Sequence, residues 1–148
     1  MSLFHYYSPS VSIDCVVFGY HDHELKVLLL NYKNTEIFAM PGGFIEPDED
    51  LDAAAKRILE KRTSVKDIFL EQFSVFGHPK RIDEKVLNTL KTNVPLEPGF
   101  VAFLQNRFIS IGYFSLVDYT EVNTQKDDIS SSLDWYSIDN MPELMHDH

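Results

Sequence analysis

The sequence has a single cysteine, Cys15, among its 148 residues, and no hydrophobic run in it is long enough to span a membrane. A disulfide within the chain is therefore excluded, and Cys15, which lies in an apolar stretch, is interpreted as a small buried hydrophobic residue. The sequence also lacks a basic start followed by an apolar core, which is the pattern of a secretory signal. We expect a cytoplasmic protein that does not associate with membranes.

Basic residues are few as well. The chain has 13 Lys and Arg against 23 Asp and Glu, a formal net charge of -10, and the acidic residues are spread along it. Such a charge repels the phosphate backbone of DNA unless a basic patch is strongly segregated. The composition, with 44% hydrophobic and 24% charged residues, is that of an ordinary globular protein. We predict one domain over residues 1–148 that does not bind DNA by itself.

Segments rich in β-branched and aromatic residues predict β-strands, and the polar stretch between the first two segments indicates a hairpin. The predicted strands are residues 11–20, 25–32, 38–40, 65–76, 107–119 and 133–138. After the third of these comes Pro41-Gly42-Gly43, which predicts a turn. Its glycines either supply backbone angles that other residues resist or let another segment pass close by.

Three segments have helical patterns. The clearest is residues 48–63, with Asp48 as the cap, acids in the first turn and bases near the end. A second helix is expected within residues 79–90, and a third begins at Asp139 or Asn140. Because strands and helices are mixed without regular alternation, we predict the α+β class, with a mixed β-sheet sandwiched between α-helices.

Residues 41–65, with the sequence PGGFIEPDEDLDAAAKRILEKRTSV, carry the strongest functional signal. This segment resembles the Nudix box, a loop-helix-loop with a glycine, a glutamate, an Arg-Glu pair, a Glu-Glu pair and a second glycine at fixed spacings. The positions that match the pattern are Gly43, Glu49, Arg57, Leu59 and Val65. The resemblance implies a Nudix fold, and it implies that Glu49 pairs with Arg57 to hold the loop against the helix.

The residues that depart from the pattern are those that carry the family's chemistry. Ser64 replaces the second glycine, and the three helix glutamates are replaced by Ile58, Lys61 and Arg62. Residues three and four apart on a helix share one face, where carboxylates would hold divalent cations that bridge a diphosphate. An aliphatic group and two cations do not bind such ions, and the cations repel them.

Two interpretations of the cationic pair stay open. Lys61 and Arg62 either face solvent at the negative end of the helix or attract a diphosphate directly in place of a metal ion. Glu60 is expected on the opposite, solvated side of the helix. No cofactor is expected. Only an active hydrolase would need displaced acids, with Glu46, Glu49 and Glu60 as candidates, to bind Mg²⁺ or Mn²⁺.

Beyond the box, the sequence is similar to Nudix-related transcriptional regulators, in which a Nudix-like sensor precedes a winged helix-turn-helix. The similar segments are residues 69–81, 107–117 and 135–148. This resemblance implies a small-molecule effector, either a nucleotide-sugar such as ADP-ribose or a simple sugar. It also implies a homodimer that contacts DNA only through a C-terminal domain beyond His148. The candidate ligand-binding residues are Pro41, Gly42, Gly43, Lys61, Arg62 and Arg81.

Two remaining features have simple interpretations. Residues 82–106 form a longer connection than is usual between these two strands, and they are either a helix and loop over the ligand or a surface insertion. His146 and His148 flank Asp147, an arrangement interpreted as a solvated helix start in preference to a metal site.

Three functions fit these observations. The lost glutamates favour an inactive or weakened Nudix domain that senses a small-molecule effector for a transcriptional regulator. The alternative is an active Nudix hydrolase that cleaves a nucleoside diphosphate linked to another moiety, using displaced metal ligands. A dimerisation module without a small ligand is the third. The sequence favours sensing and leaves the question of catalysis open.

Overall fold

A mixed β-sheet forms the frame of the computed structural model, which describes residues 10–96 and 107–148. These ranges contain seven strands and two helices. The strands are β1 (Ser10–His21), β2 (Glu24–Tyr32), β3 (Phe38–Ala39), β4 (Gly42–Phe44), β5 (Glu71–Phe76), β6 (Phe108–Val117) and β7 (Ser130–Ser137). The helices are α1 (Leu51–Thr63) and α2 (Glu84–Asn93).

The strand order is β3-β2-β1-β6-β5, with β4 paired to β1 and β7 paired to β2. β1 and β6 run parallel, whereas the other paired strands are antiparallel. β1 and β2 form the predicted hairpin, whose turn at Asp22 and His23 uses positive φ angles of 48° and 63°. The mixed sheet with its helices confirms the predicted α+β class. No helix within the described ranges is long and apolar enough to cross a membrane.

α1 packs on the sheet through small and aliphatic side chains on one face of the helix. Ala54, Ala55, Ile58 and Leu59 are at most 2% exposed and belong to the largest core cluster. Cys15 lies in the same cluster with 0% exposure, and burial raises the pKa of its thiol to about 12. The prediction that Cys15 is a buried hydrophobic residue is therefore confirmed.

The start of α1 differs from the prediction. Asp50, and not Asp48, caps the helix, because its carboxylate accepts a hydrogen bond from the N–H of Ala53 at 2.9 Å. The preceding turn is held by a separate bond, in which the N–H of Glu46 donates to the Glu49 carboxylate at 3.1 Å. The chain therefore enters the helix only after that turn is complete.

Other boundaries follow the tertiary partners of each segment. The strand predicted at residues 65–76 forms only over β5, where it pairs with β6. The helix predicted at residues 79–90 is α2, which begins after the cap Asp83. α2 accounts for part of the long connection at residues 82–106, and positions 97–106 of that connection lie outside the described residues.

The predicted C-terminal helix does not form. Leu144 makes a parallel bridge with Phe38, and the N–H of Met145 donates to the carbonyl of Phe38 at 2.8 Å. His146 has a φ of 51°, which is incompatible with a continuing right-handed helix. The prediction was wrong because pairing with the edge strand β3 outweighs the local capping signal.

Ser64 ends α1 in the left-handed conformation, with φ 61° and ψ 13°, while its N–H donates to the carbonyl of Glu60 at 2.8 Å. Glycine favours this geometry because it has no Cβ to clash with the backbone. The position is the one where the Nudix pattern has its second glycine, so the backbone keeps the shape although the residue has changed.

We therefore expect Ser64→Gly to stabilise the protein. The gain should be about 0.5–1 kcal/mol, since the left-handed strain exceeds the added entropy of the unfolded chain. Thermal unfolding should show a midpoint roughly 1–4 °C higher. The matched control is Ser132→Gly on β7, which pairs with Asn31 of β2 and where a glycine weakens an extended strand, so the midpoint should fall. A lower midpoint for Ser64→Gly would contradict this account of the helix end.

Candidate functional site

One arginine fastens the loop before α1 to the helix. Arg57 donates from Nε to Glu49 Oε2 at 2.6 Å and from Nη2 to Glu49 Oε1 at 2.7 Å. Its Nη2 also donates to the carbonyl of Phe44 at 2.7 Å, which ties in β4. The hydrogen bonds from Arg57 hold the pKa of Glu49 below its ordinary value. The pairing implied by the resemblance is therefore confirmed, and it fixes β4, the loop and α1 relative to one another.

The two glycines of β4 let this strand lie close to Ile58 of α1 and Asp14 of β1. No glycine in the described ranges has a positive φ, so the alternative that Gly42 and Gly43 supply special backbone angles is wrong. A Cβ on Gly43 would lie 3.1 Å from Cγ1 of Ile58. A Cβ on Gly42 would lie well under 3.0 Å from Oδ1 of Asp14. β4 thus approaches both α1 and β1 more closely than a larger residue would allow.

The three positions that replace glutamates do not share one surface, so the predicted common face is wrong. Ile58 is 2% exposed and Arg62 is 9% exposed, whereas Lys61 lies in solvent. Ile58 and Arg62 are one turn apart on α1 and both face inward. Lys61, the neighbour of Arg62, is rotated about 100° away from it around the helix axis. An aliphatic side chain and a guanidinium do not fit a divalent cation, which prefers oxygen ligands.

Arg62 is held in the interior by groups from two other segments. Its Nη1 lies 2.7 Å from Oδ2 of Asp127, and its Nη2 donates to the hydroxyl of Tyr32 at 3.4 Å. Its guanidinium carbon lies 5.5 Å from the centre of the Tyr32 ring. Its Nε is buried and has no hydrogen-bond partner among the described residues. The interpretation that Arg62 merely faces solvent is therefore wrong, although it fits Lys61.

The acids proposed as displaced metal ligands are engaged with cations. Glu49 holds Arg57, and Glu46 lies 3.8 Å from the same Nε. Glu60 lies on the exposed side of α1, 3.3 Å from Nζ of Lys66. In the part of the chain that the structure describes, no group of three or more His, Cys, Asp or Glu is arranged to hold a metal ion.

Arg62 lines a cavity of about 100 Å³ that lies between the sheet, α2 and the closing segment, residues 145–148. Its polar wall includes Asp14, Tyr32, Arg62 and His148, and its apolar wall includes Leu90 and Phe108. Gly42 and Gly43 also contribute to the wall. Of the other predicted ligand residues, Pro41 is fully buried, and Lys61 does not line the cavity.

Arg81, the remaining predicted ligand residue, holds the closing segment. It donates from Nε and Nη2 to the two carboxylate oxygens of Asp147 at 2.8 and 2.7 Å. The Arg81 side chain is 2% exposed, and its Nη1 is buried without a partner within the described ranges. Burial would raise the pKa of Asp147, but the hydrogen bonds and charge of Arg81 outweigh it and lower that pKa.

The two histidines beside Asp147 also face inward. Nδ1 of His146 accepts the N–H of Asp83 at 2.9 Å, and burial lowers the pKa of this imidazole to about 4. Nδ1 of His148 accepts the N–H of Met40 at 3.2 Å. Residues 145–148 thus form neither a solvated helix start nor a metal site. They fold against the cavity, with both histidines facing inward.

Sequence reasoning missed Asp14, Asp127 and the role of Asp147. Asp14 gave a usable signal, because it is the only charged residue of the strongly apolar β1 before its terminal turn. Asp127 and Asp147 gave none, since each meets its arginine only after the chain has folded.

The comparisons with known proteins agree with this architecture. The model for the NUDIX domain matches residues 9–148, and the chain belongs to this family.

Among curated proteins, the chain is 36% identical over 81 residues to the ADPR responsive transcriptional repressor NtrR of Acinetobacter baylyi. That match covers 51% of this chain and 32% of the repressor. The chain is also 23% identical over 146 residues to the ADP-ribose pyrophosphatase of Methanocaldococcus jannaschii, covering 97% of this chain and 70% of that protein. This chain thus matches about a third of the length of the repressor.

Solved structures show the same fold. The NUDIX domain of Shewanella oneidensis NrtR, complexed with ADP ribose, superposes with a TM-score of 0.73 at 24% identity. That superposition covers 100% of this chain and 86% of the other. The Shewanella oneidensis NrtR complexed with a 27mer DNA superposes with a TM-score of 0.64 at 26% identity, covering 93% of this chain and 56% of that one.

Glu49→Gln should make stability less dependent on pH in the acid range. Because the pKa of Glu49 in the folded chain lies below its ordinary 4.5, the ion pair stabilises fully above that value. The contribution is lost as the pH falls through the folded pKa. Urea unfolding between about pH 7 and pH 3 should show a steeper loss for wild type than for the variant. Glu36→Gln, at an exposed glutamate, is the control and should follow wild type. Parallel curves for Glu49→Gln and wild type would contradict the role of the pair.

Proposed function

We propose that this Nudix domain senses a nucleotide-sugar, with ADP-ribose as the first ligand to test, and that it binds this ligand without efficient hydrolysis. The observation that supports the proposal is the position of Arg62, which is buried and lines the cavity. The Nε–H of its guanidinium has no partner among the described residues, and Arg62 stands at a position where the family pattern has a glutamate.

The chemistry of Arg62 favours an anionic ligand. A buried donor without an acceptor costs free energy, and an incoming phosphate oxygen would remove that cost. Guanidinium groups bind phosphates through charge-assisted hydrogen bonds and do not lose their proton. Asp127 and Tyr32 hold the guanidinium in position, so that little side-chain entropy remains to be lost on binding.

The relatives support the choice of ligand class. One curated relative is described as responsive to ADPR, and one superposed NUDIX domain is complexed with ADP ribose. Both belong to the regulator type that the sequence resembles. In a regulator, the ligand would act by preferring one of two arrangements, since a ligand shifts an equilibrium only through differential affinity. The homodimer and the contact with DNA stay predictions of the resemblance.

Arg62→Gln should weaken the binding of ADP-ribose. Loss of a charge-assisted hydrogen bond predicts roughly a tenfold to hundredfold higher Kd by isothermal titration calorimetry. The matched control is Lys61→Gln, which removes the same charge from the adjacent but exposed position and should change the Kd less than about twofold. Circular dichroism of both variants verifies that they fold.

Equal weakening by the two variants would show that only the general charge of α1 attracts the ligand. Unchanged affinity of Arg62→Gln would remove Arg62 from the ligand site. If wild type binds no ADP-ribose while other nucleotide-sugars raise its unfolding temperature, the choice of ligand is wrong and the class is retained.

The second candidate is a hydrolase, which the similarity to an ADP-ribose pyrophosphatase over 146 residues favours. Such an enzyme would bind its metal through Glu46 and Glu49, which already lie together around Arg57. We expect Mn²⁺ titrations followed by electron paramagnetic resonance to show only weak binding, unchanged in Glu49→Gln. Tight binding that Glu49→Gln abolishes would favour the hydrolase.

A further inference from the structure

The cavity that contains Arg62 also contains an acceptor of the opposite charge. Asp14 lies near the middle of β1, between buried apolar neighbours, and its side chain is 18% exposed. The hydroxyl of Ser110 donates to its Oδ2, and its Oδ1 faces the cavity wall formed by Gly42 and His148. A carboxylate can accept several hydrogen bonds, so the single donor found among the described residues leaves most of the capacity of Asp14 unused.

The backbone makes room for this carboxylate. A Cβ on Gly42 would collide with Oδ1 of Asp14, so a larger residue at this point of β4 would push the carboxylate out of its present position. A buried apolar strand would otherwise favour an apolar residue in place of Asp14, because burying a charge is costly. The glycine and the aspartate together indicate a position that serves recognition at some cost to stability.

In this structure a histidine stands beside Asp14. Nδ1 of His148 accepts the N–H of Met40, so Nε2 is the ring nitrogen that can donate, and it lies 3.5 Å from Oδ1 of Asp14. This separation is longer than a normal hydrogen bond, and the contact is therefore loose. Nε2 of His148 therefore lies where a donor at normal hydrogen-bond distance could bond to Oδ1 of Asp14.

The present cavity is smaller than a site for a nucleotide-sugar needs to be. The present cavity is about 100 Å³, whereas pockets for small organic ligands are about 300–1,000 Å³. His148 and Met145 line the cavity, and neither belongs to a helix or a strand. The segment is retained by the pair between Arg81 and Asp147. Its displacement would enlarge the cavity and uncover Asp14 at the same time.

We propose that Asp14 is the specificity-determining residue of this site, that its Oδ1 accepts a sugar hydroxyl of the ligand, and that His148 occupies the place of that hydroxyl until the ligand displaces it. The proposal rests on the proposed function and narrows it to ligands that combine a phosphate with a sugar. Arg62 attracts the phosphate, while the Asp14 carboxylate repels an anion and accepts O–H groups.

The test uses the variant Asp14→Asn and two probes, ADP-ribose and inorganic pyrophosphate, in calorimetric titrations. Replacing the carboxylate by an amide weakens the bond to a hydroxyl, so the Kd for ADP-ribose should rise about tenfold. The same change removes a negative charge from the cavity, so the Kd for pyrophosphate should fall by a few fold. The two affinities should therefore move in opposite directions, which a merely structural role would not produce.

Asp134→Asn is the matched control, because it removes one negative charge from an exposed residue that does not line the cavity. It should change neither Kd by more than about twofold. His148→Ala removes the group beside Asp14 and should tighten ADP-ribose several fold while leaving pyrophosphate unchanged. This second variant keeps the test decisive if Asp14→Asn does not fold.

The outcomes separate this inference from the function on which it rests. If wild type binds ADP-ribose but Asp14→Asn shifts both probes in the same direction, or neither, the role of Asp14 is overturned and the sensor stands. If His148→Ala weakens ADP-ribose, His148 is a ligand contact and not a displaceable group, which also overturns the inference. If wild type binds pyrophosphate but no sugar-containing ligand, both the sensor and the role of Asp14 are overturned.

Discussion

The structure depends on the ion pair between Arg57 and Glu49. This pair joins three segments that the sequence separates, because Arg57 lies in α1, Glu49 in the loop, and the third bond reaches the carbonyl of Phe44 in β4. With β4 fixed, Gly43 can lie against Ile58 and the inward face of α1 is set. Arg62 lies one turn after Ile58 on that face and is held there by Asp127 and Tyr32.

In this chain the scaffold positions of the Nudix-box pattern keep their residues, whereas other residues stand at the positions of its helix glutamates. Gly43, Glu49 and Arg57 retain their places, and even Ser64 keeps the left-handed backbone that a glycine favours. Of the positions that would carry glutamates, Ile58 extends the core and Arg62 supplies a buried positive charge. Asp127 pairs with Nη1 of Arg62, while Nε of the same guanidinium has no hydrogen-bond partner among the described residues.

The sequence predicted the local features of the fold well and the long-range contacts poorly. The β1–β2 hairpin, α1 and the Arg57–Glu49 pair follow from periodicity and a fixed motif, which are properties of neighbouring residues. The predicted C-terminal helix failed because Leu144 pairs with Phe38 at the sheet edge, a contact that no local pattern reveals.

The cationic pair illustrates the same limit at the site. Adjacent helix residues are rotated by about 100° about the axis. Arg62 lines the cavity and Lys61 lies in solvent, and helical spacing alone does not tell which of the two faces inward. The choice is made by Asp127 and Tyr32, which come from other parts of the chain. Asp14 is a single charged residue in the otherwise apolar sequence of β1. This signal was visible in the sequence but was not interpreted as part of a site.

The central claim is that the domain binds a nucleotide-sugar and does not cut it. In the most direct measurement, the protein is incubated with ADP-ribose and Mn²⁺. Its unfolding temperature is recorded, and the ligand is then analysed by chromatography. The account predicts a raised unfolding temperature and intact ADP-ribose after prolonged incubation. Conversion of the ligand to AMP and ribose phosphate at ordinary enzymatic rates, abolished by Glu49→Gln, would contradict it.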